Sequence, residues 1–292
     1  MLQILAKGAD DPQRRQLDIE GYMTANIDII DGVGTGVSDD GIARIVISRP
    51  ERMNALDGAA SARIQSALGR WADDDAIRVV VIDGAGGSFS TGADVVGIAS
   101  TASEQPSGGL SDEQARGIIA GGTDLALAVR EVQAPVIASV DGAAAGIGAS
   151  LAASADLIYA TQRSYFLLAF INIGLMPDGG ASMLFAAALG RARANELALL
   201  GEKLSAADAF DAGLVNRVVA DRVELDEIVT QVAGRLAKRS PMAMRMTKAA
   251  LDAHTLAGLQ AALKRELSGQ TALLQSPEFQ AALSAFTGKS KH

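Results

Sequence analysis

Two glycine-bearing loops mark the places where this chain could do chemistry with its backbone. One is "GGSFSTGAD", residues 86–94; the other is "AAAGIGAS", residues 143–150. The second lies in "VDGAAAGIGASLAASADL", a run that carries no charge from residue 142 to residue 155. A loop of small residues leading from a strand into a helix leaves backbone N–H groups unpaired and pointing outward. Without bulky side chains, a ligand can approach them closely. Two such loops could each give one donor to a single oxygen, the arrangement a carbonyl needs when it gathers negative charge. In the second loop taken alone, Gly and Ala serve close helix packing equally well.

Other chemistries are narrowed by what the sequence lacks. There is no cysteine, which excludes disulfides, thiolate metal sites and thiol nucleophiles, and the two histidines are His254 and His292. "GIGASL" has Leu151 where a dinucleotide fingerprint needs its third glycine, and "GVGTGVSDDG" (32–41) lacks the Lys-Ser/Thr of a phosphate loop. That stretch is read as a hairpin connection between two short strands. "GASLA" resembles a nucleophile elbow, and Ser150, Asp208 or Asp211, and His254 follow a hydrolase order. An elbow serine directly follows a strand, however, whereas the strand here ends near Val140. Carboxylates and backbone groups are left to carry the chemistry.

The elements that must position these loops follow from periodicity. Strand-like "IARIVIS" (42–48), "RVVVIDG" (78–84), "PVIASVDG" (135–142) and "DLIYA" (156–160) alternate with helix-like 61–74, 111–132 and 147–154. Such alternation implies an α/β body with largely parallel pairing. "VIDGAGG" and "SVDGAAAG" end alike, as if one unit were repeated. "SAADAFDAGLV" opens with a serine cap, and from Val223 onward the chain is mostly helical. The chain thus divides into a mobile N-terminal extension (1–23), an α/β core (24–220) and a helical C-terminal oligomerisation region (221–292). With 292 residues, 49% apolar, it can bury a large core, and a net charge of −8 argues against nucleic acid and anionic lipid as partners. No stretch has the length and apolarity of a signal peptide or a membrane span, and a cytoplasmic location is expected.

Six motifs, in order, carry a resemblance: "RPERMNAL" (49–56), "FSTGAD" (89–94), "VDGAAAGIGASLAASADL" (140–157), "IGLMPDGGAS" (173–182), "LSAADAFDAGLVNRVV" (204–219) and "SPMAMRMTKAAL" (240–251). Together they resemble the crotonase superfamily, the enoyl-CoA hydratase/isomerase family, over residues of about 25 to 290. The resemblance implies a spiral of ββα units with a helical C-terminal trimerisation region, assembled as a homo-trimer or hexamer. It implies an acyl-CoA thioester substrate whose coenzyme A is part of the substrate, with no separate cofactor and no metal.

By the same resemblance the oxyanion hole falls on the N–H groups of Ala93 and Ile147, with Gly146 and Gly148 flanking the second. The pantetheine and adenine would run along Arg52, Met53, Ala55 and the loop Ser90, Thr91, Gly92, Ala93 and Asp94. The two glutamates that position water in family hydratases fall on Ser150 and Phe170, neither of which is a carboxylate. The acid that remains is Asp178, at a place where double-bond-shifting members of the family keep a proton carrier. A carboxylate set among Leu168, Phe170, Leu175 and Met176 would be desolvated and its pKa raised. The expected reaction is therefore a shift of a 3-enoyl-CoA to a 2-enoyl-CoA through an enolate. Hydration at an atypical site, thioester hydrolysis and silent acyl-CoA binding are the alternatives, and for Asp178 the competing role is a cap on the helix that begins at "GGASMLF".

Overall fold

The computed structural model describes residues 15–16, 27–103 and 110–289. Strands β1 (Arg15–Gln16), β2 (Asp28–Ile30), β3 (Val33–Val37) and β4 (Ile42–Ile47) form an antiparallel meander. Parallel strands β5 (Val79–Gly84), β6 (Val136–Val140), β8 (Leu157–Thr161) and β11 (Arg217–Val219) extend it into an eight-stranded sheet, in the order β1-β2-β3-β4-β5-β6-β8-β11. The expected N-terminal extension lies outside the described residues except for β1, which pairs with β2 at Ile29 and Asp28. The hairpin reading of residues 32–41 needs correction. Val33–Val37 is itself a strand, and the turns lie on either side of it, at Asp31–Gly32 and Ser38–Gly41.

Every residue of β4, β5 and β6 is buried, because the sheet is covered on both faces. On one face the principal core includes Ile45, Ile82 and Ala138, packed with Ile64 and Leu68 of α1 (Gly58–Trp71) and with Ile119 and Leu125 of α3 (Asp112–Glu131), which follows α2 (Val95–Ser103). On the other face, Ile42, Val79, Val81 and Ile137 meet Leu225, Val229 and Ala233 of α7 (Arg222–Ala237). The helical segment from residue 221 thus gives its first helix to the core.

A second, three-stranded sheet, β10-β9-β7, supplies the other half of each repeating turn. The chain runs from β6 to β7 (Ala143–Ala145) and α4 (Ile147–Ala153), then from β8 to β9 (Tyr165–Leu167) and α5 (Ala181–Leu200). Single bridges, Ser90 to Ala144 and Leu56 to Ala93, carry the same pattern back into the two preceding turns. These ββα turns account for the repeated Asp-Gly ending. Asp83 and Asp141 both stand buried where a strand leaves the large sheet, and each is held by an arginine, Arg222 and Arg163. Burial alone would raise the Asp141 pKa; hydrogen bonds from Arg163 and Thr161 outweigh it and hold the carboxyl low.

After β10 (Leu204–Ser205) comes α6 (Ala206–Asp211), capped as the sequence predicts by Ser205, whose oxygen accepts the Asp208 N–H at 3.1 Å. Beyond α7 lie α8 (Pro241–Thr255), α9 (Leu259–Leu274) and α10 (Pro277–Lys289). α9 packs on α3 and α5, and α8 has no buried residue. No helix among the described residues is long and apolar enough to cross a membrane.

Candidate active site

The loop before α1 is where the first predicted site residues lie. Met53 and Asn54 both take left-handed backbone angles (φ 49° and 58°), which non-glycine residues seldom adopt. Asn54 secures this bend. Its fully buried amide donates to Ala85 O at 2.8 Å and Ser88 O at 2.6 Å, and its Oδ1 accepts the Arg49 N–H at 2.8 Å. The carbonyl of Asn54 in turn accepts from Ser90 Oγ at 2.8 Å, and Ser90 Oγ accepts the Gly92 N–H at 3.2 Å. Sequence reasoning missed Asn54; its one signal was an Asn next to a bend, a common residue for left-handed backbone.

The same interactions determine which amides stay unpaired. Leu56 N–H donates to Gly92 O and Asp94 N–H donates to Leu56 O, so the Ala93 N–H between them is left without a partner. Ile147 is the first residue of α4, where an N–H has no carbonyl to meet, and it too has no partner. The two loops are stitched together by Ser90 N–H on Ala143 O and Ala145 N–H on Ser90 O, each at 2.9 Å. A Cβ on Gly92, at φ 96°, would lie 2.8 Å from Ala145 O and 3.3 Å from Ile147 N, so only glycine permits this approach. Gly148 is equally confined, against Ser90 O. The geometry thus brings two unpaired amides from separate loops to one place.

Around the mouth, Arg52 is half-exposed and Met53 is 60% exposed, while Ala55 and Ser90 are buried. Thr91 Oγ1 donates to Met53 O. The Asp94 carboxylate is engaged within the protein: it accepts the Gly97 N–H at 3.1 Å at the start of α2 and sits 3.4 Å from Arg52 and 3.8 Å from Arg49.

Asp178 lies in the loop between a short 3-10 helix, Ala169–Ile173, and α5, and it is 7% exposed. Its main chain is held by Ser150, whose hydroxyl donates to Asp178 O at 2.8 Å. Ser150 is fully buried in the second turn of α4, and Phe170 is buried in the 3-10 helix. The carboxyl group does not cap α5. Glu266 of α9, fully buried, does so instead: its two oxygens accept Gly180 N–H at 2.7 Å and Ser182 N–H at 2.9 Å. Asp178 Oδ2 accepts from Gln270 Nε2 at 3.2 Å, and Oδ1 is buried without a partner. A Cβ on Gly122 of α3 would sit 3.1 Å from Ile147 Cδ1 and 3.9 Å from Asp178 Oδ1, so the free oxygen and the Ile147 side chain face the same point of α3. Burial raises the Asp178 pKa to about 7, Glu266 adds to the rise, and the Gln270 hydrogen bond opposes it.

The hydrolase constellation is not assembled. The Ser150 hydroxyl is committed to a backbone carbonyl, Asp208 is bound by Ser205, and Asp211 and His254 are exposed with no hydrogen bond to Ser150. No cluster of metal-ligating side chains occurs among the described residues.

A family model described as enoyl-CoA hydratase/isomerase matches residues 38–292. The chain belongs to the enoyl-CoA hydratase/isomerase family. Among curated relatives, the 1,2-epoxyphenylacetyl-CoA isomerase of Escherichia coli K12 is 32% identical over 86% of this chain and 94% of its own. The trans-2-decenoyl-[acyl-carrier-protein] isomerase of Streptococcus mutans is 31% identical over 86% and 93%. A crystal structure of an enoyl-CoA hydratase from Mycobacterium avium subsp. paratuberculosis K-10 superposes with a TM-score of 0.78 at 40% identity, covering 88% of this chain and 96% of the other. The spiral ββα body with its helical C-terminal region is therefore the crotonase fold, and family members similar to this chain include both isomerases and hydratases.

Proposed function

We propose that this family member is an enoyl-CoA isomerase that moves a double bond from C3=C4 to C2=C3 of an acyl-CoA thioester. The single observation that carries the reading is the release of Asp178 from capping duty by Glu266. It leaves a buried carboxyl, titrating near neutrality, with one oxygen unpartnered and facing the same point of α3 as the Ile147 side chain. A general base works best when its pKa lies near the operating pH.

In the proposed step Asp178 Oδ1 takes the C2 proton and the C2–H electrons form the C1=C2 bond of a dienolate. The displaced carbonyl electrons become an oxyanion held by the N–H groups of Ala93 and Ile147. The Asp178 proton then returns at C4, the carbonyl reforms, and the carboxylate is regenerated. One acid suffices, which agrees with Ser150 and Phe170 standing where family hydratases keep glutamates. Each amide donor contributes about 2.7–4 kcal/mol to such a transition state. Arg52 and Met53, at the rim, and the Ala55 and Ser90–Ala93 segments would lie along the coenzyme A moiety.

We also propose that the chain assembles as a trimer or hexamer. Met242, Met246 and Leu251 of α8, Leu199 and Leu200 at the end of α5, and Phe210 of α6 are each about half exposed or more, apolar surface suited to self-association. Light scattering on the sized protein reads this directly, and a monodisperse monomer at micromolar concentration would contradict it.

The similarity to a hydratase structure favours water addition as the second reading. A panel of 2-enoyl-, 3-enoyl- and ring-bearing acyl-CoA thioesters, assayed for double-bond absorbance, water addition and CoA release, separates the readings. Isomerisation without CoA release is expected. Hydration alone, hydrolysis alone, or binding with no turnover would each overturn the isomerase reading.

A further inference from the structure

The side-chain amide of Gln270 is fully buried, yet the bonds it makes in this structure use only half of it. Nε2 donates to Asp178 Oδ2 at 3.2 Å, whereas Oε1 has no hydrogen-bond partner. A buried amide with an idle acceptor is costly unless the acceptor is used in another state of the molecule. The group beside it changes state in any proton transfer: a carboxylate is an acceptor only, while a carboxylic acid has an O–H to donate. An amide can serve both forms, with N–H donating to the carboxylate and, after a half-turn of the amide plane, C=O accepting from an acid that carries its proton on Oδ2.

We propose that Gln270 is a positioning residue that holds Asp178 in both its protonation states, fixing Oδ2 so that Oδ1 stays turned to the point of α3 that Ile147 faces. The inference rests on the reading of Asp178 as proton carrier. Gln270 itself gains and loses no proton. While Oδ1 carries the C2 proton to C4, Oδ2 stays an acceptor and keeps its bond from Nε2. Only in the resting acid, protonated on Oδ2, does the amide turn its C=O to the carboxyl.

The surroundings leave this task to Gln270. α4 brings Ile147 and Ser150 against the Asp178 segment, α3 brings Gly122, and α5 begins with Ala181 and Ser182; none of these is ionisable. The charged group acting on Asp178 is Glu266, one turn before Gln270 on α9, and both its oxygens are engaged by the N–H groups of Gly180 and Ser182. Glu266 therefore disfavours the carboxylate without orienting it. Gln270 favours the carboxylate and orients it.

The test is a carbon-13 NMR titration of the Asp178 carboxyl in the ligand-free full-length protein, assigned by its loss in Asp178→Asn. It is run on wild type, on Gln270→Met, which keeps the length but has neither donor nor acceptor, and on Gln270→Glu, which has no donor when ionised. The bond to the carboxylate is charge-assisted and stronger than the bond to the acid, so losing both should raise the Asp178 midpoint by about half to one pH unit in Gln270→Met and at least as much in Gln270→Glu. Thr271→Val, a buried change on the same helix, should leave it in place. The acidic limb of the kcat/KM profile for trans-3-hexenoyl-CoA should move upward by the same amount, with KM little altered. Midpoints unmoved in both Gln270 variants overturn the inference and leave the isomerase reading standing. Midpoints that move while the kcat/KM limb does not show that Asp178 is not the proton carrier, and overturn that reading together with the role given to Gln270.

Discussion

Replacing Asp178 by Asn should make the protein more stable in alkaline solution, although it removes the carboxyl that the proposed reaction uses. Burial raises the Asp178 pKa from its ordinary 3.8 to about 7. Between those values the folded state keeps a proton that the unfolded chain has released. Its stabilising contribution is thus complete below pH 3.8, declines through the window up to about 7, and is gone above it. At about 1.4 kcal/mol per pH unit, the gap from 3.8 to about 7 amounts to about 4 kcal/mol of destabilisation in alkali. Asparagine carries no charge and keeps an oxygen for Gln270, but its NH₂ is left buried without an acceptor, which costs about 1–3 kcal/mol at every pH. At pH 9 the variant should therefore exceed wild type by about 1–3 kcal/mol, and by pH 5.5 that advantage should shrink by about 2 kcal/mol. Urea unfolding of both proteins at one fixed concentration, at the two pH values, gives the comparison. A difference that does not change with pH would refute the argument that a buried, titrating carboxyl sits at this position.

Other residues of the site give further expectations. Ile147→Pro should keep α4, since proline suits the first position of a helix, yet remove one oxyanion donor and lower kcat by about 10²–10³-fold; a variant with wild-type kcat would remove Ile147 from the mechanism. Asn54→Ala should cost about 2–4 kcal/mol in thermal or urea unfolding, because two buried carbonyls lose their donor, and it should weaken turnover as the Ala93 loop loosens. Ser150→Ala should cost about 1 kcal/mol of stability and leave kcat within about tenfold, because the hydroxyl supports Asp178 through its backbone carbonyl. A kcat loss as deep as that of Asp178→Asn would make Ser150 a participant.

Much of the fold was legible because its strands are long and its core is two-sided. "IARIVI" and "RVVVIDG" read as buried strands directly, and the shared Asp-Gly endings announced the repeating turn before its second sheet was visible. β7 and β9 have three residues each, too few to show a period. "VGTGV" reads as a connection because its glycines hide the alternation of a strand. In the site, small residues betrayed the two amides, since close approach to a backbone demands them. The partners of Asp178 were not legible. Glu266 and Gln270 lie 88 and 92 residues further along, on a helix that reads as ordinarily amphipathic, and nothing local distinguishes a glutamate that caps another helix from one in solvent. That arrangement leaves the Asp178 carboxyl out of the α5 cap, and tertiary packing alone supplies it.

The central claim is that Asp178 moves the proton, and hydrogen exchange tests it most directly. A 3-enoyl-CoA incubated in D₂O with the wild-type protein should lose its C2 proton signal and yield the 2-enoyl isomer. Asp178→Asn should bind the same thioester with nearly unchanged affinity and slow both exchange and isomerisation by about 10²–10⁴-fold. An asparagine variant that exchanges C2 and isomerises at the wild-type rate would contradict the account, and the proton carrier would have to be sought elsewhere.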